Sequence, residues 1–350
     1  MTGLLQTDDV FELHEALLRL PTRPTLIDRT DWERWDRRRR LAHNDERLAY
    51  IGADFILRTP QLARALSTVH DIRRRNRHRR YGRQTVVISG PGGSGKSTAL
   101  TVIAAEEAAR ADQERPDRPA SVLGVEVPPT ATPKALLEAI LEQIRIVPPR
   151  RATLTELMRM VTQNLNDLQI TLVLVDEIGH LASRRQTAVD AARTLKALTN
   201  QVTATFVYAG VGIERSTLMD GADGDQLARR SVFELFTPMS TATADGQREW
   251  RSVIRAFERD LQLLDHPETT LRQHADQLFD RTGGNIGTLR NILTDCAMDL
   301  IEAHTRALRA GNDTLFEERI TWDQLAAARI DRKAALLEDR RQGRPGRKAA

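Results

Sequence analysis

The stretch ISGPGGSGKSTAL (88–100) follows the apolar run TVVI and leads into the helical pattern TALTVIAAEEAARA. Gly90-Pro-Gly-Gly-Ser-Gly-Lys96-Ser97 fits the spacing GxxxxGK[ST] in full, between a strand and a helix, which is the context a phosphate-binding loop needs. Gly90, Gly92, Gly93 and Gly95 let successive backbone N–H groups turn inward where side chains would collide. Ser94 and Thr98 complete the loop and the first helical turn. Lys96 supplies a compact positive charge to the β and γ phosphates, Ser97 offers a hydroxyl to Mg²⁺, and the helix adds its positive end. The expected ligands are ATP and Mg²⁺.

Outward from this loop, four more short apolar runs follow: SVLGVEVP (121–128), ITLVLVDE (170–177), TATFVYAG (203–210) and SVFELF (231–236). Helical patterns separate them, such as TPKALLEAILEQI (132–144) and AVDAARTLKALTNQV (188–202), as a parallel α/β sheet requires. LVLVDE puts Asp176 at the end of a buried strand, where a carboxylate can hold the metal's water shell. Glu177, directly after it, can orient and deprotonate water, which suits hydrolysis better than phosphate transfer to a substrate. Beyond PMS (238–240) only helical patterns recur, in 248–264, 271–282 and 286–308. The expected division is a helical arm over 1–83, an α/β domain over 84–240, a helical lid over 241–330 and a basic tail over 331–350.

Two arginine sites follow the nucleotide motifs. QLARR puts Arg229 and Arg230 just before the last strand, and GGNIGTLRNIL puts Arg290 on the first turns of a helix. An arginine's planar fork matches phosphate oxygens. One of Arg229 and Arg230, with Arg230 the first choice, is expected to reach a neighbouring subunit's γ-phosphate, and Arg290 to sense nucleotide from the lid.

Composition narrows the partners. At 350 residues, 40% hydrophobic and 29% charged, the chain is globular, and no apolar run approaches the roughly 20 residues of a membrane helix. The start MTGLLQTDDVFEL has no signal-peptide pattern, and the single Cys296 excludes an internal disulfide or cysteine metal cluster, so the cytoplasm is the expected compartment. Net charge is only +4, but DIRRRNRHRRYGR (71–83) holds seven arginines, RRRR stands at 37–40, and RRQGRPGRKAA closes the chain. These clusters are either solvated surface or a polyanion site. With aromatics at 4%, the polyanion reading favours duplex DNA held by its backbone over single strands held by stacking.

Taken together, DERLAYIGADFILRTPQL (45–62), GPGGSGKST, VEVPPTATPKALLEAIL (125–141), LVLVDEIGHL (172–181), YAGVGIE (208–214), QLARR and GGNIGTLRNIL resemble an AAA+ ATPase. Within that class the chain resembles the TniB group of transposon ATPases, related to TnsC and more distantly to the MuB and IstB type. The resemblance implies a five-stranded sheet in the order 5-1-4-3-2, a helical lid, and ATP-dependent rings or filaments on duplex DNA. It also implies a DDE-type transposase and a TniQ-like targeting protein as partners. One departure stands out: AAA+ proteins usually carry asparagine or threonine at the tip of the fourth strand, and here that tip reads AGVGIE (209–214). Other ATPases of the class, of the initiator or helicase-loader type or the signalling and defence type, are the alternative.

Overall fold

Five of the apolar runs become strands: β1 (Thr85–Ser89), β2 (Val122–Glu126), β3 (Leu172–Asp176), β4 (Thr205–Gly210) and β5 (Ser231–Leu235). They form one all-parallel sheet in the order β2-β3-β4-β1-β5, the order that the AAA+ resemblance implies. Parallel neighbours need crossovers, and helices supply them. Ahead of β1 lie α1 (Val10–Leu18), α2 (Arg29–Glu33), α3 (Arg37–Gly52) and α4 (Pro60–Asn76). Between strands come α5 (Lys96–Glu114), α6 (Pro133–Gln143), α7 (Leu154–Asp167), α8 (Arg185–Gln201) and α9 (Gly221–Arg230). After β5 follow α10 (Ala244–Asp260), α11 (Ala275–Thr282), α12 (Ile286–Arg309) and α13 (Trp322–Ala327). The structure, a computed structural model, describes residues 9–19, 23–25, 27–52, 59–116, 120–129, 131–182, 185–311 and 316–330. The basic tail 331–350, with its GRPGRK, lies outside them.

The chain divides into two compact units, 1–19 with 58–236 and 20–57 with 237–350. The stretch expected as one helical arm, 1–83, is therefore shared between them. Burial gives the reason. In the sheet unit, Val10 joins the core built on Leu123, Val173, Phe206 and Tyr208. In the helical unit, Ile51 joins the core of Trp250, Phe257, Leu289 and Ile292. Local signals start several helices: Thr132 caps α6 by accepting from the Ala135 amide at 3.2 Å, and Thr153 and Glu156 form a reciprocal capping box on α7.

The helical unit also contains a fully buried ion pair. Arg47 Nη1 lies 2.6 Å from Glu318 Oε2 and Nη2 lies 2.9 Å from Oε1, while Nη2 also donates to Asn44 Oδ1 at 2.6 Å. His304 Nδ1 stands 2.6 Å from Glu318 Oε1, and the Leu264 amide donates to Oε2 at 3.1 Å. Burial alone would raise the Glu318 pKa; the hydrogen bonds from Arg47 and His304 outweigh it and hold the carboxyl down to about 2. A depressed carboxyl stabilises the folded chain above its unfolded pKa of 4.5, and that contribution fades as pH falls towards about 2. Arg47→Met strands the buried carboxylate and should cost about 3–5 kcal/mol at neutral pH. Denaturant melts should show the gap between variant and wild type narrowing from pH 7 to pH 3, because acid neutralises the stranded group. An equal gap at both values would show that lost packing, not charge, carries the effect.

Candidate nucleotide site

Strand β1 delivers the loop 90–95 at the carboxyl end of the sheet. A Cβ on Gly90 would lie 2.2 Å from the Phe236 carbonyl oxygen and 2.8 Å from Ser94 Oγ, so only glycine fits there. Gly95, the N-cap of α5, has φ of 92° and leaves the helix without a side-chain cap. Its first-turn N–H groups are therefore not taken up by a capping side chain. A Cβ on Gly92 or Gly95 would meet nothing within 4 Å, so the cradle opens on space that phosphates would fill. Ser94 Oγ is buried with no hydrogen-bond partner, a donor waiting on an acceptor. These features fit a polyphosphate.

Lys96 is only 5% exposed, and its Nζ donates to the Pro91 carbonyl at 3.0 Å. Burial lowers its pKa from 10.5, against the upward pull of the Glu177 and Asp176 carboxylates. An ammonium stripped of water and held by one carbonyl suits a nearby anion. Ser97 Oγ donates to Asp176 Oδ2 at 2.7 Å, and the Glu177 amide donates to Oδ1 at 2.8 Å. The hydroxyl and carboxylate expected to face the metal are thus brought together across the loop and β3, as hard oxygen donors suited to Mg²⁺. Glu177 follows, half-buried, with φ of 52°. Thr98 sits half-buried on the first turn of α5, and Gly93 is exposed with φ of 70°.

The tip of β4 holds a residue that sequence reading passed over. Glu214 accepts a short hydrogen bond from the Ser89 hydroxyl, and Ser89 Oγ accepts from the Ile213 amide at 2.9 Å. The Gly90 amide donates to the Gly210 carbonyl at 3.3 Å. A carboxylate on the loop after β4 is therefore fastened to the last residue before the phosphate loop. The polar letter after AGVGI was the available signal.

The arginines separate clearly. Ser231 opens β5 opposite Thr85, the first residue of β1, whereas the phosphate loop follows Ser89 at the other end. Five parallel residues span about 13 Å. Arg229 and Arg230, ending α9, stand at the amino end of the sheet, farther from Lys96 of their own chain than an arginine side chain reaches. Arg230 Nη1 donates to Asn200 Oδ1 at 2.6 Å, and Arg229 is exposed. Arg290 stands half-buried as the fifth residue of α12, in the helical unit.

The arginine clusters are partly used up inside the protein. Arg73 is paired with buried Glu107, and burial lowers its pKa to about 10. Arg40 donates to the Trp35 carbonyl at 2.9 Å, and Arg39 lies over the Trp35 ring at 4.0 Å. Arg75, Arg77, Arg79 and Arg80 are exposed, beside Tyr81 at 87% exposure. Asn76 closes the base of this turn: Nδ2 donates to the Gln84 carbonyl at 2.8 Å and Oδ1 accepts the Gln84 amide at 3.0 Å. No group of three or more metal-ligating His, Cys, Asp or Glu side chains occurs among the described residues, and no described helix is long and apolar enough to cross a membrane.

The family model described as "Bacterial TniB protein" matches residues 47–239, more than half of the chain. The chain belongs to the TniB family. TniB proteins are transposon-associated AAA+ ATPases, and this TniB-family chain is an AAA+ ATPase in both motif order and sheet order. No curated protein matches it. Among solved structures, it is similar to the Aeropyrum pernix ORC2 protein in ADPNP–ADP complexes, with a TM-score of 0.53, 15% identity, and coverage of 80% of this chain and 72% of that one. It is also similar to the Aeropyrum pernix ORC1 protein in complex with DNA, with a TM-score of 0.52, 15% identity, and coverage of 79% of this chain and 66% of that one. At such identity the likeness concerns the fold.

Proposed function

We propose that the chain is an ATP-hydrolysing regulator of transposition that assembles on duplex DNA and recruits or activates a DDE-type transposase, with a TniQ-like protein as a further partner. The observation that carries the chemistry is the Ser97–Asp176 hydrogen bond with Glu177 next in the chain, beside the buried Lys96. Lys96 and the loop glycines bind the β and γ phosphates, and Ser97 and Asp176 hold the metal. Bound Mg²⁺ supplies electrostatic stabilisation of the charge that develops on the transferred phosphoryl group. Glu177 takes the proton of the attacking water. Arg230, or Arg229 beside it, completes the neighbouring chain's site, and Arg290 reports nucleotide from the helical unit.

The DNA part of this reading is supported by TniB membership and by the exposed arginines of the turn closed by Asn76. Backbone contact predicts ATP-dependent binding that tolerates sequence and weakens steeply with salt, the log–log slope being about −0.9 per phosphate neutralised. Fluorescence anisotropy with duplexes of unrelated sequence, between 50 and 200 mM salt, about the range over which such contacts dissociate, is the check. Reversing Arg79 and Arg80 to Glu should flatten the slope. Binding that ignores ATP and salt, or prefers one sequence by orders of magnitude, rules the reading out. The single test of the whole is electron microscopy with duplex DNA and a slowly hydrolysed ATP analogue: a regular array supports it, and isolated monomers count against it. The likeness to ORC1 and ORC2 favours, as a second reading, an initiator-type ATPase; stimulation of a transposase by the ATP-bound form separates the two.

A further inference from the structure

The turn after β3 holds a conformation that its sequence does not favour. Glu177, with a full side chain, has φ of 52°, in the left-handed region. Its amide is bound by Asp176 Oδ1 at 2.8 Å, and its carbonyl accepts the His180 amide at 3.0 Å, which closes the turn. His180 then reaches across to the neighbouring strand: its Nδ1 lies 2.7 Å from the carbonyl oxygen of Val127, just beyond β2. A carbonyl only accepts, so Nδ1 carries the hydrogen. The Val127 amide in turn donates to the Asp176 carbonyl at 3.0 Å. On the far side, a Cβ on Gly179 would lie 3.4 Å from Ile213 Cδ1, so the turn is hemmed in by the loop after β4 as well.

We propose that His180 is a positioning residue: through Nδ1–H it pins the Glu177 turn to β2 and so fixes the carboxylate that activates water. The role rests on the reading of Glu177 as that group. His180 transfers no proton itself; its ring acts through the one hydrogen bond to Val127.

Replacing the ring tests which nitrogen matters. His180→Ala should lower kcat for ATP by about ten- to hundredfold, the usual cost of removing an orienting partner, with affinity for a fluorescent ATP analogue within about threefold of wild type. His180→Asn, whose amide N–H takes the place of Nδ1–H, should recover most of the loss. His180→Gln, whose N–H lies where Nε2 was, should not. In the Glu177→Gln background, His180→Ala should cost nothing further, because the group it positions is already gone. Independently of hydrolysis, nitrogen chemical shifts of the nucleotide-free protein should show hydrogen on Nδ1. Unchanged kcat in His180→Ala, rescue by Gln rather than Asn, or an Nδ1 without hydrogen overturns the proposal. If Glu177→Gln hydrolyses ATP normally, the reading of Glu177 fails with it; if Glu177→Gln is inactive while His180→Ala is normal, this inference alone fails.

Discussion

Glu177→Gln binds ATP but hydrolyses it about 10²–10⁴-fold more slowly, the range lost with a general base. The amide keeps the shape of the side chain and cannot accept the proton. Because binding and turnover are separated, this variant accumulates the ATP-bound form, which steady-state turnover and nucleotide retention on a spin column both read. Lys96→Ala behaves differently. Its ammonium is buried against a single carbonyl with two carboxylates nearby, so removing it takes away the positive charge offered to the phosphates and leaves Asp176 and Glu177 facing them alone. Nucleotide affinity and everything downstream of it should then fall together. Normal turnover in Glu177→Gln would mean that another group handles the water.

Arg230→Ala retains near-normal ATP affinity and loses hydrolysis by about 10³-fold or more, the contribution of an arginine supplied from a neighbour. Its position at the amino end of β5 makes a role in its own site unworkable, so the variant's own phosphate loop stays intact. Mixing it with Lys96→Ala therefore restores activity at interfaces that pair a working loop from one variant with a working arginine from the other. The hydrogen bond to Asn200 already orients the Arg230 guanidinium, while Arg229→Ala is the matched comparison one residue away. A mixture as inactive as its parts, with both variants folded and co-assembling, would place the site within one chain.

The strands and their parallel class were legible because each strand is a short apolar run and each crossover a helical period, both local patterns; their order came only with the AAA+ resemblance. The core of the nucleotide site was legible for a related reason: loop, lysine and serine lie within eight letters, and Asp176 ends a strand marked by its own run. What escaped depends on distance along the chain. Asn44 and Arg47 look like surface residues of α3, and their burial is set by Glu318, 271 positions from Arg47. Ser89 and Glu214 meet across 125 positions. Arg73 reads as part of a polyanion cluster, yet Glu107 on the next helix draws it inward. Helix α7 is absent from the sequence reading although its capping box, Thr153 to Glu156, is written in four consecutive letters.

The two ends of the sheet give the chain a direction: the phosphate loop lies at one end, and Arg229 and Arg230, proposed to serve a neighbour's phosphates, stand at the other. In the proposed ring or filament such chains queue head to tail, a heterologous contact repeated from one chain to the next. An open row then always contains one fewer complete site than it has chains, with an unserved loop at one end and idle arginines at the other. Specific activity per chain therefore climbs with row length and levels off, and a row that closes on itself gains the missing site in a single step. Hydrolysis measured against protein concentration becomes a counter of how many chains stand in line.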